Sequence, residues 1–284
     1  MCTALNFEGF FGRTLDVNGG YGEQIVLTPK NYPLNFRNGK VIDEHFALLG
    51  MAVISDNEPL YFDAVNERGL AGAGLNFPDL AVYKEKDKGK FNLASFELLS
   101  YILSVCDSVK MAKETLENIN LTNESFSNGL PTTPLHFIFA DRTESITVEP
   151  VAEGLKVYQN DLGVLTNAPA FLEHLDNLKA QEIIPGDDSS ASRFVRMAHF
   201  KSAAVKCSRW THFISVLGKV NRIREENEEQ YTLYTSCMDL EKGKYYVKAY
   251  DGGISVVQMK DEAKNGEELL SWQYEKLSKI NKLN

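Results

Sequence analysis

The second residue of the chain, in Met1-Cys2-Thr3-Ala4-Leu5-Asn6-Phe7, is a cysteine. With Met1 removed, one residue would carry a thiol that can attack a carbonyl and a free α-amine that can take up its proton, a nucleophile and base in a single unit. An α-amine has an ordinary pKa of about 7.7–8.0, well matched to neutral pH. A lone cysteine behind the initiator is also often incidental, so the chemistry depends on what the rest of the chain can bring to it.

Such a nucleophile needs a carboxylate to orient the amine when it is protonated, and a nearby guanidinium to favour the thiolate. The strand-and-turn stretch "FGRTLD" supplies both, as Arg13 and Asp16. An ordinary turn with one surface ion pair accounts for them equally well. Acyl transfer also needs donors aimed at the oxyanion of the tetrahedral intermediate, and side-chain amides can serve. Asn76 closes "GLAGAGLNFP" and Asn167 closes "LGVLTNAP", each just before a proline that would stop a strand. Taken singly, both are explained by the preference of Asn for turns.

The elements that must carry these residues fall in runs. "FFGRTLD", "QIVLTP", "HFALLGMAVI", "PLYFDAVNE" and "GLAGAGLNF" read as successive strands and turns. Helical spacing in "NLASFELLSYILSVC" predicts a first helix, and Asp107 is the expected cap of a second in "SVKMAKETLENI". "PLHFIFAD", "SITVEPV", "GLKVYQN" and "LGVLTN" resume as strands. "SSASRFVRMAHFKSAAVKC" and "WTHFISVLGKV" form a second helix pair, and "YTLYTSC", "KYYVKAY" and "ISVVQM" the last strands. Runs of strands separated by helix pairs argue for an α+β fold with antiparallel sheets and helices segregated on their outer faces.

The bulk properties exclude more than they select. At 284 residues and 43% hydrophobic, with no internal repeat or linker-like stretch, the chain is expected to form one domain, 1–284. A net charge of -9 argues against nucleic acid or an anionic membrane surface as the main partner. No signal-peptide pattern and no apolar run near the roughly 20 residues of a bilayer span are present, so a cytoplasmic protein without membrane insertion is expected. The four cysteines, Cys2, Cys106, Cys207 and Cys237, form no CxxC pair, and no metal or organic cofactor is expected. Cys106 and Cys207 read as small buried hydrophobes.

Together, "MCTA", "FGRTLD", "DNEPLYFDAVNERGLAGAGLNFP", "PLHFIFAD", "GVLTNAP", "PGDDSSASRFVR" and "YTLYTSC" resemble, in order and wording, the choloylglycine hydrolase family of conjugated bile salt hydrolases and penicillin V acylases. The resemblance covers nearly the whole chain. It implies an N-terminal nucleophile hydrolase with a four-layer αββα sandwich, in which Met1 is removed and Cys2 attacks a linear amide. It further implies that Arg13 and Asp16 sit beside the thiol and amine, and that Asn76 and Asn167 hold the oxyanion and the amine. Arg193, which spacing alone would read as a helix-surface residue, would complete the polar site.

The resemblance implies glycine- or taurine-conjugated bile salts as substrate, because penicillin V acylases tend to carry a tyrosine where Asn76 stands. Penicillin V or another N-acyl amide is the alternative, as is a shortened homologue that binds amphipathic ligands. A sterol nucleus needs an apolar pocket. Phe77, Phe137 and Phe139 could help line it, though core packing explains them equally well. The chain departs from the family pattern between Asn167 and Arg193, where only 25 residues intervene in place of a longer arm that reaches toward neighbouring subunits. A homo-oligomer smaller or weaker than the family's tetramer is therefore expected. "REENEEQ", residues 224–230, reads as a solvated loop.

Overall fold

The computed structural model describes residues 1–127, 132–180, 187–203, 209–223, 230–250, 252–274 and 280–282. Its first half runs through strands β1 (Cys2–Phe7), β2 (Phe10–Val17), β3 (Gln24–Thr28), β4 (Leu34–Asn35), β5 (Val41–Ile42), β6 (Leu48–Ser55), β7 (Glu58–Asn66), β8 (Ala71–Asn76) and β9 (Phe91–Ala94). Helices α1 (Leu98–Val105) and α2 (Val109–Leu116) follow, then β10 (Ile119–Thr122), β11 (Leu135–Ala140), β12 (Ser145–Val151), β13 (Gly154–Gln159) and β14 (Val164–Leu165). Helices α3 (Phe171–Ala180), α4 (Ser190–Ala203) and α5 (Trp210–Leu217) come next. The chain ends with β15 (Tyr231–Asp239), β16 (Lys244–Ala249), β17 (Ile254–Gln258), α6 (Asp261–Lys264), β18 (Leu270–Trp272) and β19 (Ile280–Lys282).

These strands form two large sheets, β14-β1-β2-β15-β16-β17-β19 and β13-β12-β11-β8-β7-β6-β3-β18. The pairings within both are antiparallel except between β17 and β19. Helices α4 and α5 pack on the first sheet, α1 and α2 on the second, which gives the four-layer αββα sandwich. The polar groups between the sheets include a direct tie. Asp63 of β7 accepts hydrogen bonds from the hydroxyls of Tyr234 on β15, 2.8 Å, and Tyr245 on β16, 2.6 Å, all three buried.

The strand bearing Cys2 lies inside its sheet, between β14 and β2. A two-residue turn joins β1 to β2. Glu8 and Gly9 have φ of 53° and 80°, the left-handed pair that a tight hairpin matched to strand twist requires. The hairpin sets Cys2 opposite Leu15 and Ala4 opposite Arg13. Because side chains alternate along a strand, Cys2, Arg13 and Leu15 share one face, while Thr3, Thr14 and Asp16 share the other. Gly12 has no room for a side chain, since a Cβ there would stand 2.1 Å from the Ser236 carbonyl oxygen.

Two local expectations are corrected. The cap of α2 is Ser108, whose hydroxyl accepts from the Met111 amide, not Asp107, because Ser108 has the extended backbone an N-cap needs. "NLAS" does not open a helix. Residues Phe91–Ala94 form β9, paired in parallel with β10, and the helix begins after a short 3-10 turn. Cys106 is fully buried, whereas Cys207 and residues 224–229 lie outside the described residues.

Candidate active site

Four of the six residues singled out in the sequence, Cys2, Asn76, Asn167 and Arg193, form one hydrogen-bonded circuit at the first strand. The amide of Cys2 donates to Asn167 Oδ1 at 2.5 Å. Arg193, entirely buried, donates from Nη1 to the Cys2 carbonyl at 2.5 Å and to Thr3 Oγ1 at 2.7 Å, and from Nη2 to Asn167 Oδ1 at 3.2 Å. Asn167 Nδ2 donates to the Asn76 carbonyl at 2.7 Å. Asn167 thereby joins β1, the end of β8 and helix α4 through one side chain. Asn76 brings its backbone to this circuit, and its own side chain is exposed.

Arg13 and Asp16 stand on opposite faces of β2. Arg13 shares the face of Cys2 and donates from Nη1 to the carbonyls of Gly74, 2.6 Å, and Phe62, 3.1 Å. Burial opposes its charge, but Cys2, Tyr234, Asp63 and Asp16 outweigh that and raise its pKa. Asp16 shares the face of Thr3 and Arg193, accepts from Thr232 Oγ1 at 2.7 Å, and keeps Oδ2 buried without a hydrogen-bond partner. Burial pushes its carboxyl up, against the opposing pull of Arg193 and the chain's amino group.

With Met1 present, the terminal ammonium donates to the Asp16 carbonyl at 2.7 Å and to Gln230 Oε1 at 3.3 Å. Its pKa is lowered, mainly by burial. Loss of Met1 would move the free amine to the nitrogen now held by Asn167. Thr3 and Thr232, which contact Arg193 and Asp16, have no chemical signal of their own in the sequence.

The three phenylalanines named in the sequence are buried. Phe137 and Phe139 pack in the core beneath α1 with Leu99, Ile102 and Leu103, whereas Ile138, on the other face of β11, joins the cluster that contains Cys2. Phe77 is fully buried and stacks on His136, ring centroids 4.2 Å apart. A cavity of about 400 Å³ lined by Leu34, Phe36, Arg37, Phe96, Glu97 and Phe126 includes none of the polar site residues. Among the described residues no group of three or more His, Cys, Asp or Glu side chains is arranged to hold a metal ion, and no helix is long and apolar enough to cross a membrane.

The αββα sandwich and the cysteine at position 2 define an N-terminal nucleophile type of hydrolase acting on linear amides. The model of the linear amide C–N hydrolases, choloylglycine hydrolase family, matches residues 2–184 and 180–272, and the chain belongs to that family. The two matched stretches meet inside the short connection between Asn167 and Arg193. The chain is 38% identical to a bile salt hydrolase/transferase of Lactiplantibacillus plantarum, with 96% of each chain covered. It is 34% identical to a bile salt hydrolase/transferase of Clostridium perfringens over the whole of both. A crystal structure of a mutant conjugated bile acid hydrolase from Clostridium perfringens superposes with a TM-score of 0.92 at 33% identity, covering 100% of both chains. Penicillin V acylase from Agrobacterium tumefaciens shares the fold, with a TM-score of 0.78 at 18% identity and coverage of 95% and 90%.

Proposed function

We propose that this protein hydrolyses the amide bond of glycine- or taurine-conjugated bile salts through a thioester on Cys2. The observation that carries the reading is the convergence of Asn167 and Arg193 on the Cys2 backbone, with Asn167 also bonded to the Asn76 carbonyl and Arg13 on the face of the thiol. The names of the relatives supply the substrate class.

After loss of Met1, the Cys2 amine accepts the thiol proton and the sulfur attacks the carbonyl carbon. Asn76, next to the Asn167 amide and open to solvent, donates to the oxyanion. As the C–N bond breaks, the α-ammonium gives its proton to the leaving glycine or taurine nitrogen. Water then attacks the thioester and loses a proton to the amine, and the acid departs as the thiol is restored. Asn167 and Arg193 hold the reacting residue, and Asp16 stabilises the amine when it is protonated.

Tyr21, 58% exposed, rests against Phe62, whose carbonyl holds Arg13, and this pair offers the sterol an apolar wall. Among the described residues Cys2, Cys106 and Cys237 form no disulfide, in keeping with work in a reducing cytoplasm. The test is intact mass before and after iodoacetamide, with a ninhydrin assay for amino acid released from taurocholate and glycocholate. Loss of the methionine mass, single alkylation at Cys2 and amine release abolished by it are expected. A processed, alkylatable Cys2 with no amine release would overturn the substrate assignment.

A further inference from the structure

We propose that His174 is a positioning residue for Asn167, forming with His136 a pair of buried imidazoles that clamps the Thr166–Asn167 backbone. The clamp has two arms on consecutive carbonyls. His136, from β11, contacts the Thr166 carbonyl through Nε2 at 2.7 Å. His174, from α3, contacts the Asn167 carbonyl through Nε2 at 2.8 Å. Both rings are fully buried.

The hydrogen-bond partners determine how His174 is protonated. A carbonyl oxygen only accepts, so Nε2 must carry the hydrogen. The second oxygen near it, Thr166 Oγ1 at 3.2 Å, spends its own hydrogen on the Ser190 carbonyl and can only accept from the ring. Nδ1 is then a bare lone pair, buried and without a hydrogen-bond partner. Burial lowers the His174 pKa to about 4, which keeps the ring in this neutral form near neutral pH.

Each arm is itself braced. His174 lies flat on Phe194, centroids 4.7 Å apart and planes 12° apart, and Phe194 is the neighbour of Arg193 in α4. His136 lies 3.3 Å through Nδ1 from Glu149 Oε1, and the same oxygen accepts from the amide of Phe171, the first residue of α3. Glu149 therefore ties the helix that carries one histidine to the ring of the other. Phe77, stacked on His136, follows Asn76, whose carbonyl Asn167 holds. The clamp thus links the three groups that must agree in position: the Asn167 amide, the Arg193 helix and the end of β8.

Packing alone does not account for a histidine at 174. A leucine or phenylalanine would fill apolar space beside Phe194 without leaving a buried nitrogen unpaired, a situation that ordinarily costs stability. The direction of one N–H toward the Asn167 carbonyl is what the apolar residues could not supply.

The experiment compares His174→Leu and His174→Gln with the wild type, the glutamine amide reaching the place of Nε2. It measures kcat and KM on taurocholate, the pH profile of Cys2 alkylation by iodoacetamide, and folded fraction by urea titration. His174→Leu is expected to lose about tenfold or more in kcat with KM unchanged, as misplacement by a fraction of an ångström implies, and to shift the alkylation profile. His174→Gln is expected to restore both to within about threefold of wild type, less than half a decade in barrier terms. If His174→Leu does not fold, His174→Asn, whose amide stops one bond short of the carbonyl, replaces it. Wild-type kcat and alkylation in the leucine or asparagine variant, or no rescue by glutamine, would overturn the proposal. The inference rests on the hydrolase reading for its kinetic arm only. A wild type that releases no taurine would refute that reading, while the alkylation profile would still decide the role of His174.

Discussion

Replacing Asn167 with Asp changes one heavy atom and nothing of the side chain's shape. The surroundings fix which atom matters. Cys2 N and Arg193 Nη2 are donors and face Oδ1, while the Asn76 carbonyl is an acceptor and faces Nδ2. In Asn167→Asp an ionised carboxylate would set an oxygen 2.7 Å from that carbonyl, where a donor stood. The Asn76 carbonyl loses its partner and gains a repelling neighbour, at a cost of about 2–3 kcal/mol, partly offset by the nearby Arg193 charge. At about 2 kcal/mol net, and with a slope of about 3 kcal/mol/M, the urea midpoint falls by about 0.7 M. If the loss is felt in the reaction, kcat falls about thirtyfold. Once protonated, the introduced carboxyl would instead present a hydroxyl donor to Asn76 and an acceptor to Cys2, the pattern of the native amide. The ratio of variant to wild-type activity should therefore rise as pH falls from about 7.5 to about 5, toward the carboxyl's own titration range, with both enzymes measured at saturating substrate. A variant with wild-type urea midpoint and a pH-independent ratio would refute the hydrogen-bond assignment at Asn167 and the reasoning built on it.

Acid stability follows from His174. Its folded pKa, lowered by burial to about 4, lies below the ordinary 6.5, so the unfolded chain gains a proton first as pH falls. The stability lost grows between pH 6.5 and 4 and levels at about 3 kcal/mol. Urea midpoints of wild type and His174→Gln at pH of about 7, 5.5 and 4.5 should converge toward low pH, the subtraction removing the opposite trends of Asp16 and Asp63, whose carboxyls are raised by burial. Gly12→Ala should destabilise by about 1–3 kcal/mol or more, read as a lower thermal midpoint, because its Cβ would meet the Ser236 carbonyl at 2.1 Å and shift the strand bearing Arg13. Light scattering at micromolar concentration should report an oligomer smaller than a tetramer, and a stable tetramer would contradict the role given to the short connection after Asn167.

The polar residues around Cys2 are legible in the sequence because most of them stand at strand ends, where a side chain is conspicuous. Arg193 is legible through the family motif alone, since its position in a helix resembles that of any solvated arginine. At the phenylalanines of β11 the sequence is silent for a physical reason. His136-Phe137-Ile138-Phe139 belongs to a strand buried on both faces, so period-two alternation carries no contrast and cannot say which parity faces the nucleophile. Helix α3 is hidden behind "NAP", which suggests a loop, although Phe171, Leu175 and Leu178 recur at helical spacing and pack inward. His136, His174 and Asp63 are invisible as a group. Their meaning comes from partners 7 to 182 residues distant, such as Asn167 for His174 and Tyr245 for Asp63, which no local pattern records.

The separation in sequence between Cys2 and its partners also sets a timetable. Cys2 leaves the ribosome almost first, but Asn167 and Arg193 lie 165 and 191 residues behind it, and Thr232 lies 216 residues behind Asp16. At about 5–20 residues per second, the last of these emerges roughly 10–45 s after the cysteine. For most of that interval the growing chain carries its thiol without the groups that contact it in the folded protein. The surroundings of Cys2 are complete only when β15 has joined the sheet beside β2.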